Sequence, residues 1–187
     1  MASIGFSNMA DRTLPAIAGV PALSAAERAS ILDLLFEPCT QLHTLAVPLL
    51  HESTFASYGE LISAVGVQLT DLSESSSSSD TTWLESILGA HPRLGAKKVD
   101  SAQSQSEQAQ LQGSGEEAAQ LAQLNEEYEA TFPGLRYVFF VNGRSRPVIM
   151  QDMRQRIDGN DIKLERAAAI RVRSALAIRE TKLLISW

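Results

Sequence analysis

The sequence predicts an all-α, single-domain helical bundle with one extended segment at about residues 136–142 and polar loops at 73–80 and 101–116. Apolar residues recur at helical spacing in nearly every periodic stretch, and helix-capping residues mark where those stretches begin. A single continuous β-like run, "YVFFV", cannot build a sheet alone, so it is expected to thread through helices.

Taken in order, residues 1–20 read as a flexible N-terminal segment and residues 21–187 as the domain. "SAAERASILDLLF" opens with a capping box, Ser24 with Glu27 three residues on, and carries Ile31, Leu34 and Leu35 along one side. "PCTQLHTLAVPLL" reads as a short helix with Pro38 in its first turn. "SYGELISAVGVQL" repeats the Ser-x-x-Glu device with Ser57 and Glu60. "SESSSSSD" is too polar to pack and reads as a mobile surface loop, after which Asp80 caps a helix whose core residues are Trp83, Ile87 and Leu88. A polar stretch follows, and then "EEAAQLAQLNEEYEATF" places Leu121, Leu124 and Tyr128 on one stripe. Ser145 and Pro147 start the next helix. The last, from about Asp161, aligns Leu164, Ala168, Val172, Leu176 and Leu183 on one face.

At 187 residues, 44% of them hydrophobic and with a mean hydropathy of −0.04, the chain fits one soluble core. A net charge of −6 and a pI of 5.1 speak against a nucleic-acid partner. Eight of the sixteen Lys and Arg residues lie between Arg154 and Lys182; this asymmetry matches an anionic ligand, a partner surface or simply a solvated helix face. The single Cys39 excludes an internal disulfide and suits a reducing, intracellular compartment. No apolar run approaches the roughly 20 residues that span a bilayer. "LLISW" is not a peroxisomal tripeptide, so the expected location is the cytoplasm.

Strong generic signatures are missing: no phosphate loop, no His-Glu-x-x-His, no Gly-x-Ser-x-Gly, and no metal-ligand spacing among Cys39, His43, His51 and His91. Any chemistry is therefore expected to be cofactor-free acid–base chemistry. In "GAHPRLGAKK", Pro92 restricts the backbone of His91 and ends the helix there, fixing the direction of a ring that titrates near neutrality. The same residue also suits a plain helix-capping role. In "SQSEQ", helical spacing puts Ser104 on one side with Glu107 and Gln108, either converging on a ligand or forming a capping box. In "FFVNGRS", Gly143 gives close backbone access and Arg144 either clamps an oxyanion through paired hydrogen bonds or sits in a surface turn.

In order and spacing, "HPRLG", "SxxEQ", "LNxxY", "FVNGRS" and "RQRI" resemble the 2-oxo-4-hydroxy-4-carboxy-5-ureidoimidazoline (OHCU) decarboxylases of urate breakdown. The likeness extends to "STFASYGELISAV" and "LERAAAIRVRSALAIRETKLL", covering the chain from about Pro21 onward. It implies an all-α, cofactor-free and metal-free carboxy-lyase producing (S)-allantoin, with His91 as the proton-transferring residue and Glu107 as a second catalytic group. It implies substrate contacts from Pro92, from Ser104, Gln105, Ser106 and Gln108, and from Phe140, Val141, Asn142, Gly143 and Arg144. It also implies a small-molecule substrate; charge and hydropathy point to no nucleic acid and no membrane, and an exposed apolar stripe on the last helix would permit a homodimer of the kind family members often form, without demanding one. The sequence departs from the family in "FPGLRYVFF", where a tighter Phe-Gly turn is usual, and this leaves open the same fold acting on another ureido acid. A different class of reading makes the chain a non-enzymatic interaction module whose basic last helix, through Arg166 and Arg173, docks an acidic partner.

Overall fold

The computed structural model describes residues 13–96, 115–140 and 144–185. A 3-10 helix, Ile17–Ala22, is followed by α1 (Ala25–Leu35), α2 (Thr40–Glu52), α3 (Tyr58–Glu74), α4 (Ser78–Leu88), α5 (Gly115–Thr131), α6 (Arg146–Gly159) and α7 (Ile162–Ile185). No strand occurs among the described residues, and residues 135–140 carry no regular secondary structure between α5 and α6. The all-α expectation holds, and the segment expected to be extended is non-helical as far as residue 140, with 141–142 outside the described residues.

Local sequence explains most helix starts. Ser24 accepts from Glu27 N while the Glu27 carboxylate accepts from Ser24 N at 2.8 Å, a complete capping box. Ser57 accepts from Glu60 N, and Asp161 Oδ1 accepts from Lys163 N and Leu164 N at the start of α7. α6 begins after Ser145 with Pro147 in its first turn, as its sequence predicts, although the Ser145 side chain makes no capping hydrogen bond.

Several expectations are corrected. The loop expected at 73–80 shrinks to residues 75–77: α3 runs to Glu74 and α4 begins at Ser78, because Ser77, not Asp80, accepts from the backbone of the first turn. Pro38 lies before α2, whose N-cap is Cys39. Residues 13–20 are clasped rather than loose. Val20 is fully buried, Tyr58 donates to the Pro15 carbonyl at 2.8 Å, and the Arg28 guanidinium donates to the Pro21 carbonyl at 3.1 Å. Trp83 is 37% exposed, leaving Leu84, Ile87 and Leu88 as the inward residues of α4.

The largest correction concerns α7, which packs along α3. Leu164 and Leu183 are 68% and 58% exposed, and the buried face runs through Glu165, Ala169, Ile170, Arg173, Leu176 and Ala177. Two charged residues occupy that face, so an apolar count selects a neighbouring stripe. Glu165 accepts from Tyr128 of α5 at 2.6 Å and from Arg156 of α6 at 3.1 Å, fixing the start of α7 between those helices. Asp152 completes this buried network by accepting from Tyr137 at 2.6 Å and pairing with Arg156 at 2.8 Å. A buried charge requires this degree of pairing, so the network determines where α7 can sit.

Candidate active site

α4 ends just before the histidine that the sequence singles out. Gly89 closes the helix by donating to the Glu85 carbonyl at 2.7 Å, and Ala90 donates to the Ile87 carbonyl at 3.2 Å. The turn after α5 packs against this end. A Cβ on Gly89 would lie 2.9 Å from the Gly134 carbonyl oxygen, and one on Gly134 would lie 2.6 Å from Glu85 Cβ. Gly134 also has φ +83°, a conformation that side chains with a Cβ resist. The "FPG" turn thus makes a backbone-to-backbone contact that seats the end of α4.

His91 emerges from this end 8% exposed. Its Nδ1 lies 3.6 Å from Glu37 Oε1, on the segment joining α1 to α2, and Arg173 of α7 is electrostatically coupled to the ring. Burial, reinforced by the Arg173 charge, pushes the His91 pKa from 6.5 down to about 3, so the ring is neutral at physiological pH. Burial lowers Arg173 to about 10, opposed by Glu37, and it keeps its positive charge at neutral pH. Arg173 Nη2 donates to the Leu88 carbonyl at 2.7 Å, satisfying a C-terminal carbonyl of α4, while Nε is buried without a hydrogen-bond partner among the described residues. The arrangement is a neutral imidazole beside a carboxylate and within the field of a buried cation. Such a ring can take up or deliver a proton, and a nearby guanidinium favours negative charge formed close to it.

Residues 93–96 continue the chain as a β-turn, with Ala96 N donating to the Arg93 carbonyl at 3.1 Å and Gly95 at φ +82°. Beside it opens a cleft of about 190 Å³ whose walls include Arg93, Gly95, Leu121, Asn125 and Arg146.

Of the residues predicted from sequence, His91 occupies this site and Pro92 follows it half-buried. Ser104, Gln105, Ser106, Glu107 and Gln108 lie outside the described residues, as do Val141, Asn142 and Gly143. Phe140 is half-buried with the Arg179 guanidinium 5.8 Å from its ring centre, and Arg144 is exposed with its guanidinium 4.9 Å over Phe139. Glu37 and Arg173 are the residues that sequence reasoning missed. The available signals were an acidic residue inside the apolar run "LLFEPC" and an arginine eight positions, two helical repeats of four, beyond Glu165.

A family model described as OHCU decarboxylase matches residues 21–177. The chain belongs to the OHCU decarboxylase family. Glu37, His91 and Arg173 all fall within the matched range. Membership assigns the chain a decarboxylase (lyase) character, a small-molecule substrate and a role in urate breakdown. No curated protein shows significant similarity to the chain. Among the described residues no helix is long and apolar enough to cross a membrane, and no group of three or more His, Cys, Asp and Glu side chains is placed to hold a metal ion.

Proposed function

We propose that this OHCU decarboxylase-family chain converts OHCU itself to (S)-allantoin without a cofactor. The observation that carries this reading is the neutral, buried His91 facing the Arg173 cation on the His-Pro turn. OHCU supplies its own electron sink. As the bond to the carboxylate carbon breaks, its electron pair forms a double bond to the ureido-bearing carbon, the ring C=N pair shifts onto nitrogen, and carbon dioxide leaves. The resulting enol becomes a carbonyl as its hydroxyl proton is transferred to that nitrogen and one proton is delivered to the ureido-bearing carbon, replacing the lost carboxylate, with no redox step.

The protein must orient the carboxylate, stabilise the charge on ring atoms and protonate one face. His91 handles the proton, and Arg173 supplies a positive field near it. Glu107 orients or deprotonates the hydroxyl, and Gln108 and Arg144 hold the carbonyl and ureido groups. The interaction-module alternative loses its residues: Arg173 is buried, and Arg166 pairs with Glu85 at 2.9 Å.

The test generates OHCU from urate with the two upstream enzymes and follows circular dichroism. Spontaneous decay gives racemic, optically silent allantoin, so a growing chiral signal that His91→Ala abolishes is the expected result. A folded protein that yields only racemic product would end this reading.

A further inference from the structure

The "LNxxY" motif has no part in the chemistry proposed above, yet its asparagine is buried beside the His-Pro turn. Asn125, 4% exposed, donates from Nδ2 to the Leu94 carbonyl at 3.0 Å and to the Leu121 carbonyl at 3.0 Å. A four-residue turn with its third residue at positive φ and its second at negative φ is type II, in which the central peptide is flipped relative to type I. In residues 93–96 that central peptide is Leu94–Gly95, and its carbonyl faces α5 instead of water. Asn125 is the donor that receives it.

The contact is one of three at successive turns of α5. Leu121 Cδ2 occupies the space where a Cβ on Gly95 would lie, 2.9 Å away, Asn125 takes the Leu94 carbonyl, and Glu129 accepts from Arg93 at 2.7 and 2.6 Å. Spacings of four put all three side chains on one face of the helix, reading the turn backwards from Gly95 to Arg93. On the other side of His91, Arg173 and Gly134 fix the end of α4. Only Ala90, His91 and Pro92 lie between these anchors, and proline holds φ of the third nearly constant.

We propose that Asn125 is a positioning residue, which by holding the Leu94 carbonyl sets the turn that keeps His91 between Glu37 and Arg173. This rests on the reading of His91 as the proton-transferring group. Without the amide donor, the flipped peptide leaves a buried carbonyl unpaired, and a peptide flip toward type I would relieve it. The turn would then no longer define where the chain leaves His91.

The experiment uses the full chain labelled with 15N-histidine and titrated by NMR, with the His91 signal assigned by its loss in His91→Gln. Glu37 and Arg173 are the charged groups facing the ring, and neither is altered. In the unmodified chain the ring stays neutral from about pH 8 to about pH 5, and Asn125→Leu is expected to raise its titration midpoint by about one unit or more. Turnover of OHCU should fall about tenfold or more with KM little changed, the pattern of a lost transition-state arrangement. Leu124→Ala, on the same helix but grouped with Met150 and Arg154 of α6 instead of the turn, controls for loss of stability and should leave the midpoint in place. An Asn125→Leu protein with an unshifted midpoint overturns the proposal, as does an equal shift in Leu124→Ala. If Asn125→Leu does not fold, Gly95→Ala attacks the same turn from the loop, and an unshifted midpoint there overturns it equally. The titration needs no substrate, so a chain that ignores OHCU would sink the proposed function and leave this inference to be decided by NMR.

Discussion

Arg173 donates to the Leu88 carbonyl, three residues before His91, so one guanidinium closes α4 and also faces the imidazole that α4 presents. Helix capping and site electrostatics are therefore the same interaction. The geometry depends on a planar fork that reaches a carbonyl with one nitrogen while leaving others directed elsewhere. Lysine keeps the charge but provides a single point donor. Arg173→Lys is expected to retain the fold and lose about a hundredfold in turnover, roughly 2–3 kcal/mol of transition-state stabilisation. Steady-state formation of chiral allantoin measures this, and near-normal turnover would remove Arg173 from the site.

His91 also predicts how stability depends on pH. Its pKa falls from 6.5 to about 3 on folding, so between those values the unfolded chain binds a proton that the folded chain does not. The contribution is fully present above pH 6.5 and is lost as pH drops through the window toward 3. The slope is about 1.4 kcal/mol per pH unit for this one group. Urea unfolding of the parent chain and of His91→Gln at matched pH values should show a flatter acid limb in the variant. Parallel limbs would mean that His91 is not held neutral by the fold.

Much of the fold is legible in the sequence because the signals are local. Ser24 with Glu27, Ser57 with Glu60, and Pro147 behind Ser145 each act within one helical turn, and each helix begins where these residues place it. His91 is legible for the same reason, since its neighbours Gly89 and Pro92 make it conspicuous. Glu37 and Arg173 are not. Whether a charged residue is solvated or buried depends on partners distant in sequence, and in α7 the burial of Glu165 and Arg173 moves the inward face off the apolar stripe. The serine-rich stretch misleads in the opposite direction, because serine serves as a cap as readily as it serves in a loop, and Ser77 starts α4.

The turn after α5 yields a last prediction. Gly134 combines a positive φ with a close approach to Glu85, and its carbonyl oxygen occupies the position a Cβ on Gly89 would need. Gly134→Ala adds the left-handed conformational cost of about 1 kcal/mol or more and drives the new methyl against the Glu85 stem, whose carboxylate is held by Arg166 at 2.9 Å. Relief requires the turn to lift from the end of α4. A destabilisation of about 2–3 kcal/mol is expected in thermal or urea unfolding, the sum of strain and lost packing. Because the same contact seats the helix end ahead of His91, turnover at a temperature where the variant is still folded should fall as well. Loss of stability with intact turnover would show that the Gly89–Gly134 contact supports the fold but does not set the position of His91.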